Sequence, residues 1–237
     1  MLKIELKEKP KENAVLIEGF PGLGFVSTIA TEFLIKHLNA KPIGKIFSTK
    51  LEPVAAIHKN EVLHPLQIFY SKNENIVIVQ AIVPVDGLEW EIADAILKLA
   101  KKIKAKEIIS LEGVSSPIQT KDSKVFFFSK WKEKNKILQK FNIPQLEEGI
   151  IIGVTGALLM TSNIPLSCFF VETHSKLQDN AAAAKLIEAL DMYLNLKVDY
   201  TPLLEKAREF EEKLKKILSS VTATKDQKEQ KELTYMG

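Results

Sequence analysis

Ala14-Val15-Leu16-Ile17-Glu18-Gly19-Phe20-Pro21-Gly22-Leu23-Gly24 sets the architecture of this 237-residue chain. Residues 14–17 are a short apolar run bounded by Asn13 and Gly19, the pattern of a buried strand. A glycine-rich turn follows, and then a helical stretch over about 26–38, with Ile29, Phe33 and Leu34 at helical spacing. Further strands are expected at 43–47, 54–57, 66–70, 76–82, 107–111, 125–128, 149–154 and 166–171. Helices are expected at 88–103, 132–141, 156–160 and 181–194. In the first of these, Leu88, Ile92, Ile96, Leu99 and Ile103 form one apolar stripe, with acids early and lysines late to suit the helix dipole. Continuous apolar strands alternating with helices imply an α/β fold, a mostly parallel sheet with helices on both faces in three layers.

The chain divides into one α/β domain over 1–199, an amphipathic helix over 200–221 and a tail over 222–237. In the helix, Leu203, Ala207, Phe210, Leu214, Ile217 and Val221 alternate at spacings of four and three, and charged residues fill much of the space between them. That is the seam of a packed helix. It docks either on the chain's own sheet or on a second subunit. In the tail, 222–232 has no apolar residue larger than alanine, too little to offset ordering entropy, so it is expected to stay unfolded. It ends in Leu233-Thr234-Tyr235-Met236-Gly237. An aromatic and a methionine on a solvated tether point either to a pocket on another protein or to a frayed terminus.

Composition bounds the function. Hydrophobic residues make up 46%, enough for a sizeable core. The net charge is +3, and Arg208 is the only arginine, which weighs against nucleic acid. The polar opening residues predict no signal peptide, and no apolar run approaches the ~20 residues needed to span a bilayer. A cytoplasmic protein is expected. Cys168 is the only cysteine and is expected to be an inert core residue. His37, His58, His64 and His174 have no metal-ligand spacing, so neither metal nor cofactor is expected.

Two places invite chemistry. The glycine turn has spacing G-x-x-G-x-G, neither the dinucleotide fingerprint nor a phosphate loop with Gly-Lys-Ser/Thr. It reads either as a tight turn under a closely packed helix or as a phosphate site, and Pro21 removes an N–H that an anion would use. Glu172, Thr173, His174 and Asp179 follow a buried strand, at the kind of position where open α/β sheets bind ligands. The alternative is a polar loop in which Asp179 or Asn180 caps the next helix. At 86–89, Asp86 or a neighbour is expected to cap the following helix, with Glu89 three residues on. Elimination leaves no enzyme.

Four stretches resemble the proteasome assembly chaperone 2 family in its archaeal branch. They are IEGFPGLGFVSTIATEFLI (17–35), SLEGVSSP (110–117), GVTGALL (153–159) and ETHSKLQDNAAAAKLIEAL (172–190). The resemblance spans about 14–220. It implies a phosphorylase/hydrolase-like α/β fold without catalysis and a homo-oligomer. It also implies an ATP-independent chaperone that binds proteasome α subunits or α rings, with no nucleic acid or membrane partner. Some members carry a tail that resembles the hydrophobic–Tyr–any-residue motif of proteasome activators. By that resemblance Tyr235 is the aromatic anchor, Met236 an apolar contact and Gly237 the carboxylate donor, although Tyr235 stands one place earlier than the motif has it. Two other readings are a phosphate-dependent nucleosidase-like enzyme and a general holdase.

Overall fold

The computed structural model describes residues 2–51, 53–58, 60–115, 123–173 and 177–207. Along the chain lie β1 (Lys3–Leu6), β2 (Val15–Gly19), α1 (Val26–His37), β3 (Lys41–Phe47), β4 (Ala56–His58), β5 (Glu61–Leu63), β6 (Leu66–Ser71) and β7 (Ile76–Ala81). After them come α2 (Glu89–Lys102), β8 (Glu107–Ser115), β9 (Val125–Ser129), α3 (Lys132–Gln139), α4 (Gly153–Thr161), β10 (Leu166–Thr173) and α5 (Asn180–Leu194). A further helical stretch is described over 201–207.

Eight strands form one sheet in the order β1-β3-β6-β7-β2-β8-β10-β9. Its centre, β7-β2-β8-β10, is parallel, and both flanks are antiparallel. The parallel strands read as continuous apolar runs because both of their faces are covered. In β2, Leu16 points into one core and Val15 and Ile17 into the other. The first core holds Ile92, Ile96 and Leu99 of α2 with Val154 and Leu158 of α4. The second holds Ala30 and Leu34 of α1 with Leu186, Ile187 and Leu190 of α5. This is the three-layer α/β arrangement expected from the sequence. The apolar stripe of α2 is buried along its whole length, from Leu88 to Ile103.

Two local expectations are corrected, and one strand is found shifted. The apolar run 149–154 forms no strand. Ile150 and Ile152 are 92% and 78% exposed, and the chain turns at Gly153, with φ +76°, directly into α4. The chain meets the sheet edge just before this run, where Gln145 bridges Phe127 of β9, and then leaves it to reach α4. The strand expected at 54–57 is β4, which pairs with β5 in a separate two-stranded sheet. No side chain caps α2: Leu88 stands at its N-cap, and Glu89 reaches back to accept from the Gly87 N–H at 3.1 Å.

Of the seam residues, Leu203 is buried in the second core beside Leu196 and Val198, and Ala207 is half-buried. Phe210, Leu214, Ile217 and Val221 lie outside the described residues, as does the tail with Leu233, Thr234, Tyr235, Met236 and Gly237.

Candidate functional site

Three of the central parallel strands carry an acid near their C-terminal ends: Glu18 on β2, Glu112 on β8 and Glu172 on β10. The turn leaving β2 is tight. A Cβ on Gly19 would meet the Ser27 carbonyl oxygen of α1 at 2.7 Å, so only glycine lets the helix sit this close. The Ser27 hydroxyl donates to the Phe20 carbonyl at 2.6 Å and ties helix to turn. Gly24 takes φ +64°, the left-handed region glycine enters freely, and its carbonyl accepts from the Asp179 N–H at 2.9 Å. The turn is therefore a packing device under α1.

Below that turn lies a feature the sequence reading did not single out. In register, Glu18 of β2 stands beside Ser110 of β8, and both side chains face α4. The Ser110 hydroxyl is hydrogen-bonded to the Glu18 carboxyl, the hydroxyls of Ser110 and Thr155 are 2.8 Å apart, and the Thr155 hydroxyl lies 3.2 Å from the Glu112 carboxyl. Two carboxyls are thus joined through two hydroxyls, and among the described residues no lysine, arginine or histidine is hydrogen-bonded to either. Burial pushes Glu18 up to about 8; the Ser110 hydrogen bond opposes this and the charge of Glu112 adds to it. Burial likewise raises Glu112 to about 7, against the Thr155 and Gly113 hydrogen bonds. Cys168 faces the same row from β10. Burial first, then the two glutamates, holds its thiol well above the usual range, so it is no nucleophile.

Glu112 opens on a cavity of about 790 Å³. Phe20, Val85, Phe126, Leu146, Ile151 and Val154 supply apolar wall, and Gly22 gives way to the carboxyl: a Cβ there would lie 2.6 Å from Glu112 Oε1. Asp86, Glu89, Ser115, Glu148 and Glu172 complete the polar lining. Among the described residues that line it there is no lysine, arginine or histidine. Such a lining repels phosphate, so the phosphate reading of the glycine turn finds no support in the electrostatics.

The structure divides the residues expected after the last buried strand. Asp179 accepts from the Ala182 N–H at 2.9 Å and caps α5, as expected, and it also accepts from the Thr173 hydroxyl at 2.7 Å. Glu172 joins the cavity instead, with Lys124 N–H donating to it at 3.4 Å. His174 lies outside the described residues. Glu18, Ser110, Glu112 and Thr155 went unremarked, although all four fall within stretches that carried the family resemblance. The available signal was an acid inside an apolar strand: Glu18 in VLIEG and Glu112 in IISLEGVS. Among the described residues no group of three or more His, Cys, Asp or Glu could hold a metal ion, and no helix is long and apolar enough to cross a membrane.

The PAC2 family model matches residues 16–218. Among solved structures, the chain is similar to PbaA of Pyrococcus furiosus, an archaeal homologue of proteasome-assembly chaperone. The two are 31% identical with a TM-score of 0.85, over 96% of this chain and 97% of that one. PbaB of Pyrococcus furiosus, an archaeal proteasome activator, is 25% identical with a TM-score of 0.79, over 91% and 98% of the two chains. The uncharacterized protein MJ1210 of Methanocaldococcus jannaschii is 27% identical, over 97% of this chain and 94% of its own.

Proposed function

The chain belongs to the PAC2 family, and from that premise we propose that it is an ATP-independent proteasome assembly chaperone or proteasome-binding scaffold. In this reading it works as a homo-oligomer, without catalysis, and binds proteasome α subunits or the α ring. The observation that carries it is the likeness to PbaA along nearly the whole of both chains, at 31% identity and a TM-score of 0.85. The likeness to PbaB, a proteasome activator, points to the same partner.

The contact is assigned to Leu233, Thr234, Tyr235, Met236 and Gly237. A tether holds these residues near a partner already touched by another subunit, so several weak contacts act together. Seam residues beyond Leu203 are assigned to subunit packing. The test is to mix the purified chain with proteasome α rings and image the mixture by electron microscopy. Particles with extra density on the α ring are expected, and removing 222–237 should weaken binding by ~10-fold or more while the body stays folded. Rings that stay bare, together with equal protection of unrelated unfolded proteins, would instead identify a general holdase.

A further inference from the structure

Four groups stand in a row beneath the cavity floor: the Glu18 carboxyl, the Ser110 hydroxyl, the Thr155 hydroxyl and the Glu112 carboxyl. The row has three contacts, and each needs a hydrogen. Serine and threonine supply one apiece, so the third must ride on a carboxyl. With it on Glu18, every bond points outward to Glu112. With it on Glu112, every bond points back. Hydroxyls rotate to suit either arrangement, so one proton satisfies the row from both ends. Burial raises both acids, and the charge of Glu112 raises Glu18 further, which agrees with that count.

The outer end of the row opens on a volume of small-molecule size, about 790 Å³, with apolar walls. Asp86, Glu89, Glu148 and Glu172 add negative charge around it, and the described lining offers no cation. On the inner side Cys168 stays neutral. A proton shared between a buried carboxyl and a half-buried one that lines an open cavity is what a small cation can displace.

We propose that this cavity binds a small organic ammonium ion, and that its arrival expels the proton shared by Glu18 and Glu112 through Ser110 and Thr155. The ammonium keeps its own hydrogens. Its charge is matched by the carboxylate left behind, its carbon body lies on the apolar walls, and the displaced proton passes to solvent. The tail takes no part, so the site stands or falls apart from proteasome binding.

The test uses the full chain with ¹³C at the glutamate side-chain carboxyl carbons, n-butylammonium as probe, and Glu18→Gln and Glu112→Gln for assignment. In weak buffer near neutral pH, the carbons of Glu18 and Glu112 should both move toward the carboxylate position as n-butylammonium is added. About one proton should be released per ammonium bound, and Glu112→Gln should weaken binding by ~10-fold or more. Thr155→Val cuts the row: Glu112 should still respond while Glu18 no longer follows, and Thr155→Ser should restore both responses. Carbons that ignore n-butylammonium, or that sit at the carboxylate position before it is added, overturn the proposal, and they do so in the unmodified chain. Glu18 following Glu112 in folded Thr155→Val overturns the shared proton.

Discussion

Strand β8 carries two carboxyls turned into the cores, one near each end, and treats them in opposite ways. Glu107, at its start, is 2% exposed and faces the second core. There Lys134 of α3 meets it at 2.5 Å, Ser167 donates at 2.5 Å, and the Tyr193 hydroxyl lies 2.9 Å from one of its oxygens. Burial works to lower Lys134, but the hydrogen bonds to Glu107 and Tyr193 outweigh it, and the ammonium is held above its ordinary value. Glu112, toward the other end of β8, faces the first core beside Glu18, and its hydrogen-bond partners among the described residues are the Thr155 hydroxyl and the Gly113 backbone. A buried charge is costly unless it is paired. At Glu107 the fold supplies the counter-charge; at Glu18 and Glu112 it leaves a proton to do so, next to open volume. The first arrangement is a structural clamp between α3, α5 and the sheet. The second is the row to which the ammonium site is assigned.

Lys134→Met tests this contrast with the largest effect. It leaves Glu107 buried without its cation and should cost about 3 kcal/mol, the low end for such a pair because Lys134 is partly exposed. Urea unfolding at neutral pH measures it. Adding Glu107→Gln should return a good part of the loss, and a cost below ~1 kcal/mol would erase the distinction between the two ends of β8.

Glu18→Gln should act in the opposite direction. The folded value near 8 lies above the ordinary 4.5, so the native state keeps a proton that the unfolded chain sheds. The stability it contributes is full below about 4.5 and falls as pH rises through about 8. Glutamine never ionises, so the variant's melting curve should flatten over that window. Above about pH 8 its Tm should exceed that of the parent by ~5 °C for a chain of this size. Parallel pH profiles for variant and parent would mean that Glu18 is already ionised.

Asp179 is a third kind of carboxylate, satisfied by a helix end. Asp179→Ala removes the cap of α5 and a partner of Thr173, and should lower stability by ~1 kcal/mol in thermal melts. Smallest is Lys36→Ala, which breaks an exposed pair with Glu32 one turn away on α1. Chemical denaturation should register less than ~0.5 kcal/mol, because water already screens both charges. A larger loss there would show that pairing matters more than burial.

The body of the fold was legible where burial writes a pattern. β2, β6, β7 and β10 are covered on both faces and read as unbroken apolar runs, and the stripe of α2 fell at helical spacing. The same rule misled at 149–154, where isoleucines at the mouth of a cavity look like a strand core. β1 was invisible because an edge strand in charged sequence needs only Ile4 and Leu6 to alternate inward. The candidate site was hidden for a different reason. Glu18 and its partner Ser110 lie 92 residues apart, and Thr155 a further 45, so no local spacing could join them. Asp179 was found because a helix cap is a local signal.

The claim on which the account rests is a physical meeting with the proteasome. Native mass spectrometry of the full chain mixed with α rings, beside the same mixture made with residues 1–221, measures it most directly. A defined complex of α ring and oligomer, depleted when 222–237 are removed, is the predicted result. Separate masses for ring and chain across the range where the chain is soluble would contradict it.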